Sequence, residues 1–339
     1  MLYFLSDYTE GCHPKILEAL AETNLVSQPG YGEDLWCRRA GEKIAALCGG
    51  GDVRFLNGGT QANLLVISAL LQRHQAVVAA ETGHIAVHEA GAVEFTGHKV
   101  VTLPAHEGKL DAGELDAYLR AFYADATHEH MPEPALVYIS QPTELGTLYS
   151  RAELTALSET CRRWGLKLFA DGARLGYGLM SPACDMTIRD LAALCDVFYI
   201  GGTKVGALCG EALVFTKHNM PPHFMAVVKQ QGALLAKMRV VSQQFDALFT
   251  DGLYWEIGRH AVELALRMKR MFLDKGYELY LDSPTNQQFF ILTREQVERL
   301  QQEVVFSLWE WLPDGRAAVR FVTSWATTEA DLEALEKLL

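Results

Sequence analysis

Short apolar segments alternate with amphipathic helical segments between residues 53 and 215, and this alternation is the feature that most constrains the fold. The candidate strands are VRFLN, AVVAA, HKVVTL, ALVYIS, LKLFAD, DVFYIG and EALVF. In the intervening segments TQANLLVISALLQRH, DAGELDAYLRAF and RAELTALSETCRRWG, apolar residues recur at steps of three and four, as in a helix. Strands joined by helices form parallel sheets covered on both faces. The sequence therefore predicts an α/β fold with a mostly parallel seven-stranded sheet.

The pattern changes after Phe215. A long helical region follows, with GLYWEIGRHAVELALRMKRMFLDKG as its clearest segment, and then two short strands, QFFILT and AAVRFVT, and a last helix, TEADLEALEKLL. We expect an N-terminal segment and large domain over residues 1–245 and a small C-terminal α+β domain over residues 246–339. The two domains are expected to share an interface, because no Pro/Ser-rich linker separates them.

Composition narrows the range of partners. Thirty basic and forty-two acidic residues give a net charge of −12, which argues against nucleic acid or an anionic membrane as the main partner. The seven cysteines are scattered without metal-ligand spacing, so we expect reduced core residues and no metal site. No signal peptide or membrane span is recognisable. The prediction is a soluble, cytoplasmic protein that acts on a small molecule.

One candidate binding motif is FLNGGTQANLL, where Gly58, Gly59 and Thr60 lie between a strand and a helix. Ligands of open parallel sheets bind beyond the carboxyl ends of the strands. Free backbone N–H groups and the helix dipole at such a turn suit a phosphate. The alternative is an ordinary helix start that is capped by Thr60.

Two further motifs follow later strands. LKLFADGARLGYG places Asp171 at a strand end and Arg174 three residues on, and DVFYIGGTKVGALCGEALVF places Lys204 among glycines after another strand. Taken singly, the first motif is typical of a structural ion pair in a turn and the second of a solvated loop lysine. A lysine beside a buried strand can instead have a lowered pKa and form a Schiff base. A phosphate site, a carboxylate for a pyridine nitrogen and a lysine for an aldehyde together predict pyridoxal 5′-phosphate (PLP) as the cofactor.

The chain also resembles a known family, the PLP-dependent fold type I enzymes of the aspartate aminotransferase type, and within them the threonine aldolase and β-eliminating lyase group. The resemblance lies in SDYT, YGEDLWCRRAGEKIAALCG, NGGTQANL, GHIAVHEAGA, DGARL and AVRFVT, which span most of the chain in the family's order. It implies a large PLP-binding domain, a smaller C-terminal domain, and a homodimer or dimer of dimers (a homotetramer) with active sites at the subunit interface.

The resemblance implies roles for the residues that contact the cofactor. His84 matches the histidine that stacks on the cofactor ring, whereas without the family a helix-start histidine with a backbone partner would be the simpler interpretation. Asp171 would hold the pyridinium proton and keep the ring an electron sink. Lys204 would carry the cofactor as the internal aldimine.

The resemblance also implies roles for residues that bind the substrate and the phosphate. Arg174 and Arg320 match arginines that bind the substrate carboxylate or support the cofactor, where a guanidinium grips a carboxylate at two points. Ser6 and Tyr31 lie in motifs that contribute to the same pocket. Arg239 matches an arginine that reaches the cofactor phosphate, in one arrangement across the dimer.

The chain departs from the family in the loop after the fifth strand. Many of the family's aldolases carry a histidine there, in a stretch like ENTHNG, whereas this chain has SQPTELG with Glu144. Either Glu144 or a water held by His84 is then the base that takes the proton of a β-hydroxyl group. The departure leaves the substrate preference open.

The resulting functional prediction is a PLP-dependent carbon–carbon lyase. It would cleave a β-hydroxy-α-amino acid of the L-threonine or L-allo-threonine type to glycine and an aldehyde through a quinonoid intermediate. The alternatives are β-elimination on another amino acid and a non-catalytic PLP-fold protein. A dinucleotide-dependent oxidoreductase is disfavoured, because NGGTQAN lacks the GxGxxG spacing.

Overall fold

The computed structural model describes all residues from 1 to 339. Its strands are β1 (Leu2–Tyr3), β2 (Asp52–Leu56), β3 (Gln75–Ala80), β4 (Lys99–Leu103), β5 (Glu133–Ser140), β6 (Lys167–Asp171), β7 (Val197–Gly201), β8 (Glu211–Phe215), β9 (Glu278–Leu281), β10 (Gln287–Leu292), β11 (Val304–Val305), β12 (Ser307–Trp311) and β13 (Ala317–Val322). Its α-helices are α1 (Pro14–Glu22), α2 (Leu35–Cys48), α3 (Gly59–Leu70), α4 (His84–Val87), α5 (Ala92–Phe95), α6 (Ala112–Ala124), α7 (Arg151–Trp164), α8 (Leu175–Met180), α9 (Ile188–Leu194), α10 (Phe224–Gln230), α11 (Arg239–Leu248), α12 (Leu253–Asp274), α13 (Arg294–Leu300) and α14 (Glu329–Leu338).

A seven-stranded sheet with the order β2-β8-β7-β6-β5-β3-β4 forms the centre of the molecule. Strand β8 is antiparallel to both of its neighbours, and the other neighbouring pairs are parallel. The nine residues 202–210 between β7 and β8 contain no crossover helix, so the chain returns in the opposite direction. The seven predicted strands and the mostly parallel sheet are confirmed.

The two faces of this sheet bury separate apolar layers. In β7, Phe198 and Ile200 belong to one core cluster, while Val197 and Tyr199 belong to the other. Successive strand residues point to opposite faces, so a strand that is apolar at every position is buried on both sides. Burial on both faces of the sheet therefore explains why these segments of the sequence are apolar without interruption.

The C-terminal part has its own four-stranded antiparallel sheet, with the order β12-β13-β10-β9, and its own apolar core. The N-terminus joins this part, because β1 pairs in parallel with β11 and Phe4 lies in the same core. The boundary predicted between residues 245 and 246 falls within α11, and the division into two domains stays a prediction.

Long-range contacts hold the C-terminal part against the sheet edge where the candidate motifs lie. Helix α12 packs on α8 so closely that a Cβ atom at Gly258 would lie 2.5 Å from the carbonyl oxygen of Gly176. All seven cysteines are free thiols, and no helix is both long and apolar enough to cross a membrane.

Candidate active site

A cleft of about 330 Å³ opens at the carboxyl ends of β2, β5, β6 and β7. This is the edge at which open parallel sheets bind ligands. The cleft brings together eight of the residues that the sequence predicts, namely Gly58, Gly59, Thr60, His84, Glu144, Asp171, Arg174 and Lys204. No group of three or more His, Cys, Asp or Glu side chains is arranged to hold a metal ion.

The start of α3 forms one wall of the cleft. The helix begins at Gly59 with Gly58 as its N-cap, and no side chain caps it, so the alternative of Thr60 as the cap is wrong. A Cβ atom at Gly59 would lie 2.8 Å from the hydroxyl oxygen of Tyr199. The first backbone N–H groups of the helix therefore face the cleft without a side-chain acceptor, as an anion site requires.

Lys204 lies in the loop between β7 and β8, and its amine is enclosed by the protein. Nζ makes no hydrogen bond or ion pair within the chain, and its nearest aromatic contact is the ring of Tyr8, at 5.9 Å. Burial and the positive charge of Arg174 lower the pKa of Lys204, against the opposing charges of Asp7 and Asp171. A lowered pKa increases the neutral, nucleophilic fraction of the amine.

Asp171 ends β6 as a buried carboxylate that accepts several hydrogen bonds. Its Oδ2 accepts from the hydroxyl of Tyr138 at 2.6 Å and from Nδ2 of Asn63 at 3.1 Å, and its Oδ1 accepts from the Ala173 amide at 2.9 Å. Burial alone would raise the pKa of Asp171, but the charge of His84 and the hydrogen bonds from Tyr138 and Tyr199 lower it. The site therefore holds this carboxylate in its charged form.

His84 begins α4 and contacts Glu89. Nδ1 of His84 lies 2.6 Å from Oε1 of Glu89, and the side chain of Glu89 is wholly buried. Burial would lower the pKa of His84, but the hydrogen bond to Glu89 and the charge of Asp171 raise it. The histidine is therefore more often a cation than a free imidazole is.

Glu144 follows β5, which ends at Ser140, and its carboxylate reaches the start of α4. Oε1 of Glu144 accepts from the Ser140 hydroxyl at 2.6 Å and from the His84 amide at 2.9 Å, whereas Oε2 has no hydrogen bond within the chain. Burial raises the pKa of Glu144, and the charge of Asp171 adds to this effect, although Ser140 and His84 oppose it. One carboxylate oxygen is thus anchored and the other is free to face a ligand.

Arg174 is held by a carboxylate that the sequence analysis did not identify. Asp7 accepts from Nε of Arg174 at 2.7 Å and from Nη2 at 2.9 Å, and it also accepts from Nδ2 of Asn286 at 3.0 Å. Burial would lower the pKa of Arg174, but the charge of Asp7 raises it. This two-point contact leaves Nη1 of Arg174 without a protein partner.

Arg320 lies on β13 as a largely buried guanidinium that has no carboxylate partner. Nη1 donates to Oε1 of Gln287 at 3.0 Å and Nη2 donates to Oγ of Ser307 at 3.3 Å, while the buried Nε has no acceptor. Burial and the charge of Arg174 lower the pKa of Arg320 to about 10. Two neighbouring guanidiniums with spare donors favour an anionic ligand.

Four predicted site residues do not line this cleft, namely Arg320, described above, and Ser6, Tyr31 and Arg239. Ser6 is buried and its hydroxyl has no partner. Tyr31 lines a separate cavity of about 430 Å³, where none of the titratable groups described above is found. Arg239 donates to the carbonyls of Val26 at 2.6 Å and Thr23 at 2.7 Å, so its guanidinium is occupied within its own chain. The roles of these residues stay predictions.

The residues that sequence reasoning missed are polar side chains that form hydrogen bonds within or beside the cleft. They are Asp7, Asn63, Glu89, Tyr138, Tyr199 and Glu211. The sequence could have indicated Tyr138, because it lies two residues before Ser140, the last residue of β5, and therefore on the same face of that strand. For Asp7 and Arg174, 167 residues apart, no local pattern predicts the contact.

The cleft fits PLP on observations of the chain itself. An uncapped helix start suits its phosphate, a charged buried carboxylate at Asp171 suits its pyridine nitrogen, and the unpartnered amine of Lys204 suits its aldehyde. These features on a mostly parallel seven-stranded sheet define the class of fold type I enzymes that depend on PLP.

Comparison with known proteins agrees with this class and narrows it. The family model described as "Beta-eliminating lyase" matches residues 3–326. The chain is 33% identical to a low specificity L-threonine aldolase of a Pseudomonas species, covering 98% of this chain and 95% of that protein. The chain therefore belongs to the β-eliminating lyase family, whose members are PLP-dependent lyases.

Solved structures give the same result for the fold. A threonine aldolase structure from Leishmania major superposes with a TM-score of 0.95 at 41% identity, covering 100% of this chain and 99% of the other. An aspartate aminotransferase from Thermus thermophilus superposes with a TM-score of 0.72 at 15% identity, covering 100% and 90%, which shows the shared fold. The predicted fold type I architecture is confirmed.

We expect Glu211, at the start of β8, to give the cofactor-free protein a distinctive pH dependence of stability. Its carboxyl accepts from the Thr203 hydroxyl at 3.0 Å and the Gly202 amide at 3.2 Å, and burial raises its pKa from 4.5 to about 8, although Thr203 and Lys204 oppose the shift. Between these values the native state keeps a proton that the unfolded state has lost. Raising the pH therefore lowers the free energy of unfolding by ~1.4 kcal/mol per pH unit.

Glu211→Gln keeps one of the two acceptor oxygens and removes the titration. Urea unfolding of the wild type and the variant between pH 5 and pH 8 should give curves of stability against pH that diverge, with the variant less sensitive to rising pH. Glu303→Gln, at an exposed position, is the matched control. Parallel curves for wild type and Glu211→Gln would contradict the raised pKa.

Proposed function

We propose that the chain cleaves β-hydroxy-α-amino acids of the L-threonine type into glycine and an aldehyde, with PLP as its cofactor. The observation that carries the proposal is the enclosed, unpartnered amine of Lys204 in the same cleft as the charged carboxylate of Asp171. The likeness to threonine aldolases over the whole chain supports the choice of reaction.

The cofactor contacts follow from the chemistry of each side chain. We assign the phosphate to the N–H groups at the start of α3 beside Gly58, Gly59 and Thr60, the pyridine nitrogen to Asp171, and the aldehyde carbon to Lys204. His84 would lie against the ring. When bound, the cofactor supplies an electron-withdrawing ring that accepts the electron pair of the bond being broken.

We assign the substrate carboxylate to the two guanidiniums. Asp7 fixes the orientation of Arg174 and leaves Nη1 free, and Arg320 has a buried Nε without an acceptor. A carboxylate between them would satisfy these donors and balance two buried positive charges. The amino acid would thereby be held in one orientation. This orientation would determine which bond of the substrate is placed for cleavage.

We assign the proton of the β-hydroxyl group to Glu144. Its Oε1 is anchored by Ser140 and His84 and its Oε2 is free, and burial raises its pKa, which makes the carboxylate a stronger base. The competing base is a water held by His84. That alternative is weakened because His84 is hydrogen-bonded to Glu89 and has a raised pKa, so the ring more often already carries the proton that it would have to accept.

We also propose that the enzyme acts in the cytoplasm as a homodimer or a dimer of dimers. Tyr31 and Arg239 do not line the cleft of their own chain, and the side chains near them are exposed and apolar, with Leu25 93% and Val26 46% exposed. Exposed apolar residues of this kind favour an interface between copies of the chain. A second copy would then bring Tyr31 or Arg239 to its partner's cleft.

The reaction is tested by incubating the PLP-loaded protein with L-threonine, L-allo-threonine, phenylserine and a β-chloro amino acid. We expect glycine and the matching aldehyde from the β-hydroxy amino acids, because both the hydroxyl base and the carboxylate site are present. Pyruvate and ammonia from the β-chloro substrate, with no aldehyde from the others, would instead indicate β-elimination. A protein that binds PLP and forms neither set of products would indicate a binding function.

Glu144→Gln tests the identity of the base. The amide oxygen still accepts from Ser140 and His84, so we expect PLP and substrate to bind as in the wild type, while carbon–carbon cleavage slows by roughly 10²–10⁴-fold. Stopped-flow measurement of glycine or aldehyde release separates binding from cleavage.

The control is Glu107→Gln, which should retain the wild-type rate. Glu107 is exposed, and its backbone carbonyl accepts a hydrogen bond from Thr147 in the same loop region. An unchanged cleavage rate in Glu144→Gln would assign the proton to the water held by His84. Loss of PLP binding in that variant would give Glu144 a structural role.

A further inference from the structure

Glu89 is a buried carboxylate beside the cleft that the proposed chemistry does not use. It lies between α4 and α5, its side chain has 0% exposure, and no lysine or arginine pairs with it. Oε1 accepts from Nδ2 of Asn63 at 2.6 Å and lies 2.6 Å from Nδ1 of His84, while Oε2 is buried without a partner. A buried charge without a counter-charge is costly. Of the side chains that contact Glu89, only His84 can carry a positive charge.

Asn63 connects Glu89 to Asp171. Its side-chain nitrogen donates to Oε1 of Glu89 at 2.6 Å and to Oδ2 of Asp171 at 3.1 Å. An amide NH₂ group has two hydrogens, so each carboxylate receives one of them. Both acids therefore accept at these oxygens, as ionised carboxylates do. Two carboxyl groups thus lie on the side of the cleft that His84 faces.

The other charged and titratable groups around His84 belong to separate elements. Asp171 is at the end of β6, Glu144 accepts from the His84 amide from the loop after β5, Lys204 lies in the loop after β7, and His88 ends α4 with its ring centroid 5.7 Å from that of His84. The two acids favour the cation, whereas Lys204 and His88 oppose it. Glu89 is the acid that contacts the ring itself.

We propose that Glu89 is a positioning residue that holds a proton on Nδ1 of His84 and keeps this ring positively charged against the cofactor site. The inference rests on the proposed function for its consequence, since a charged His84 has no free nitrogen to accept the β-hydroxyl proton. The proton then goes to Oε2 of Glu144. Glu89 thus decides between the two candidate bases without contacting the substrate.

A purely structural role for Glu89 gives a different expectation. Glu89→Gln retains the shape and an acceptor oxygen for Nδ1 of His84 and for Asn63, and it removes only the negative charge. If Glu89 does no more than join α4 to α3, this variant should leave the protonation of His84 unchanged. If the charge matters, the pKa of His84 should fall, because a hydrogen-bonded opposite charge shifts a pKa by about 1–3 units.

The test is the pH dependence of carbethoxylation by diethyl pyrocarbonate, which modifies neutral imidazole, followed by peptide mapping of His84 in the full chain with and without PLP. His84 is accessible to reagent, with 32% of its side chain exposed. We expect the pH midpoint for His84 to fall by at least about one unit in Glu89→Gln. Glu94→Gln, an exposed residue on α5, is the matched control and should leave the midpoint unchanged.

A midpoint in Glu89→Gln within about 0.3 units of the wild type overturns the proposal, since a hydrogen-bonded charge is worth more than that. If the variant does not fold, as judged by circular dichroism, the wild type alone decides: the proposal requires a midpoint for His84 above that of the exposed His130. A midpoint at or below that of His130 overturns it.

A second readout links the charge to the reaction. The alkaline limb of the kcat/KM profile for L-threonine should move to lower pH in Glu89→Gln by as much as the modification midpoint does, and an unmoved limb overturns the link to proton transfer. The modification measurement needs no substrate. It therefore tests Glu89 even if the proposed aldolase activity fails, and the two failures are distinguishable.

Discussion

The balance of charge at the carboxyl edge of the sheet governs the rest of the site. Lys204 and Arg174 are enclosed together, and burial and the charge of Arg174 lower the pKa of the lysine. Asp7 neutralises the guanidinium through a two-point contact, but no carboxylate hydrogen-bonds to the amine. An amine without its own counter-ion is more easily neutral, and a neutral amine is the form that reacts with an aldehyde.

Close approach of the strand ends brings the opposing charges into one cleft. A Cβ atom at Gly172 would lie 1.9 Å from the carbonyl oxygen of Tyr199, and one at Gly201 would lie 2.2 Å from that of Ala173. Only glycine permits backbones to approach at this distance. The glycines that follow Asp171 and precede Lys204 therefore allow the ends of β6 and β7 to meet.

The sequence predicted the features of the fold that depend on local patterns of residues. Strands apolar at every position and helices with a three-to-four-residue repeat gave the seven-stranded sheet, and residues at strand ends gave Asp171, Lys204 and the turn before α3. The partners of these residues were beyond local pattern. Asp7 binds Arg174 from the N-terminal segment, and Asn63 links Glu89 to Asp171, which lies 108 residues after Asn63 in the chain. The position of Tyr31 and Arg239 away from the cleft was likewise set by packing rather than by motif.

The central claim is that Lys204 is the residue to which PLP is attached. The direct measurement is reduction of the PLP-loaded protein with borohydride, followed by proteolysis and mass mapping of all lysine-containing peptides. We expect one pyridoxyl group on Lys204 in the peptide that contains GGTKVG, and no incorporation in Lys204→Ala. A pyridoxyl group on another lysine, or none on a protein that demonstrably holds PLP, would contradict it.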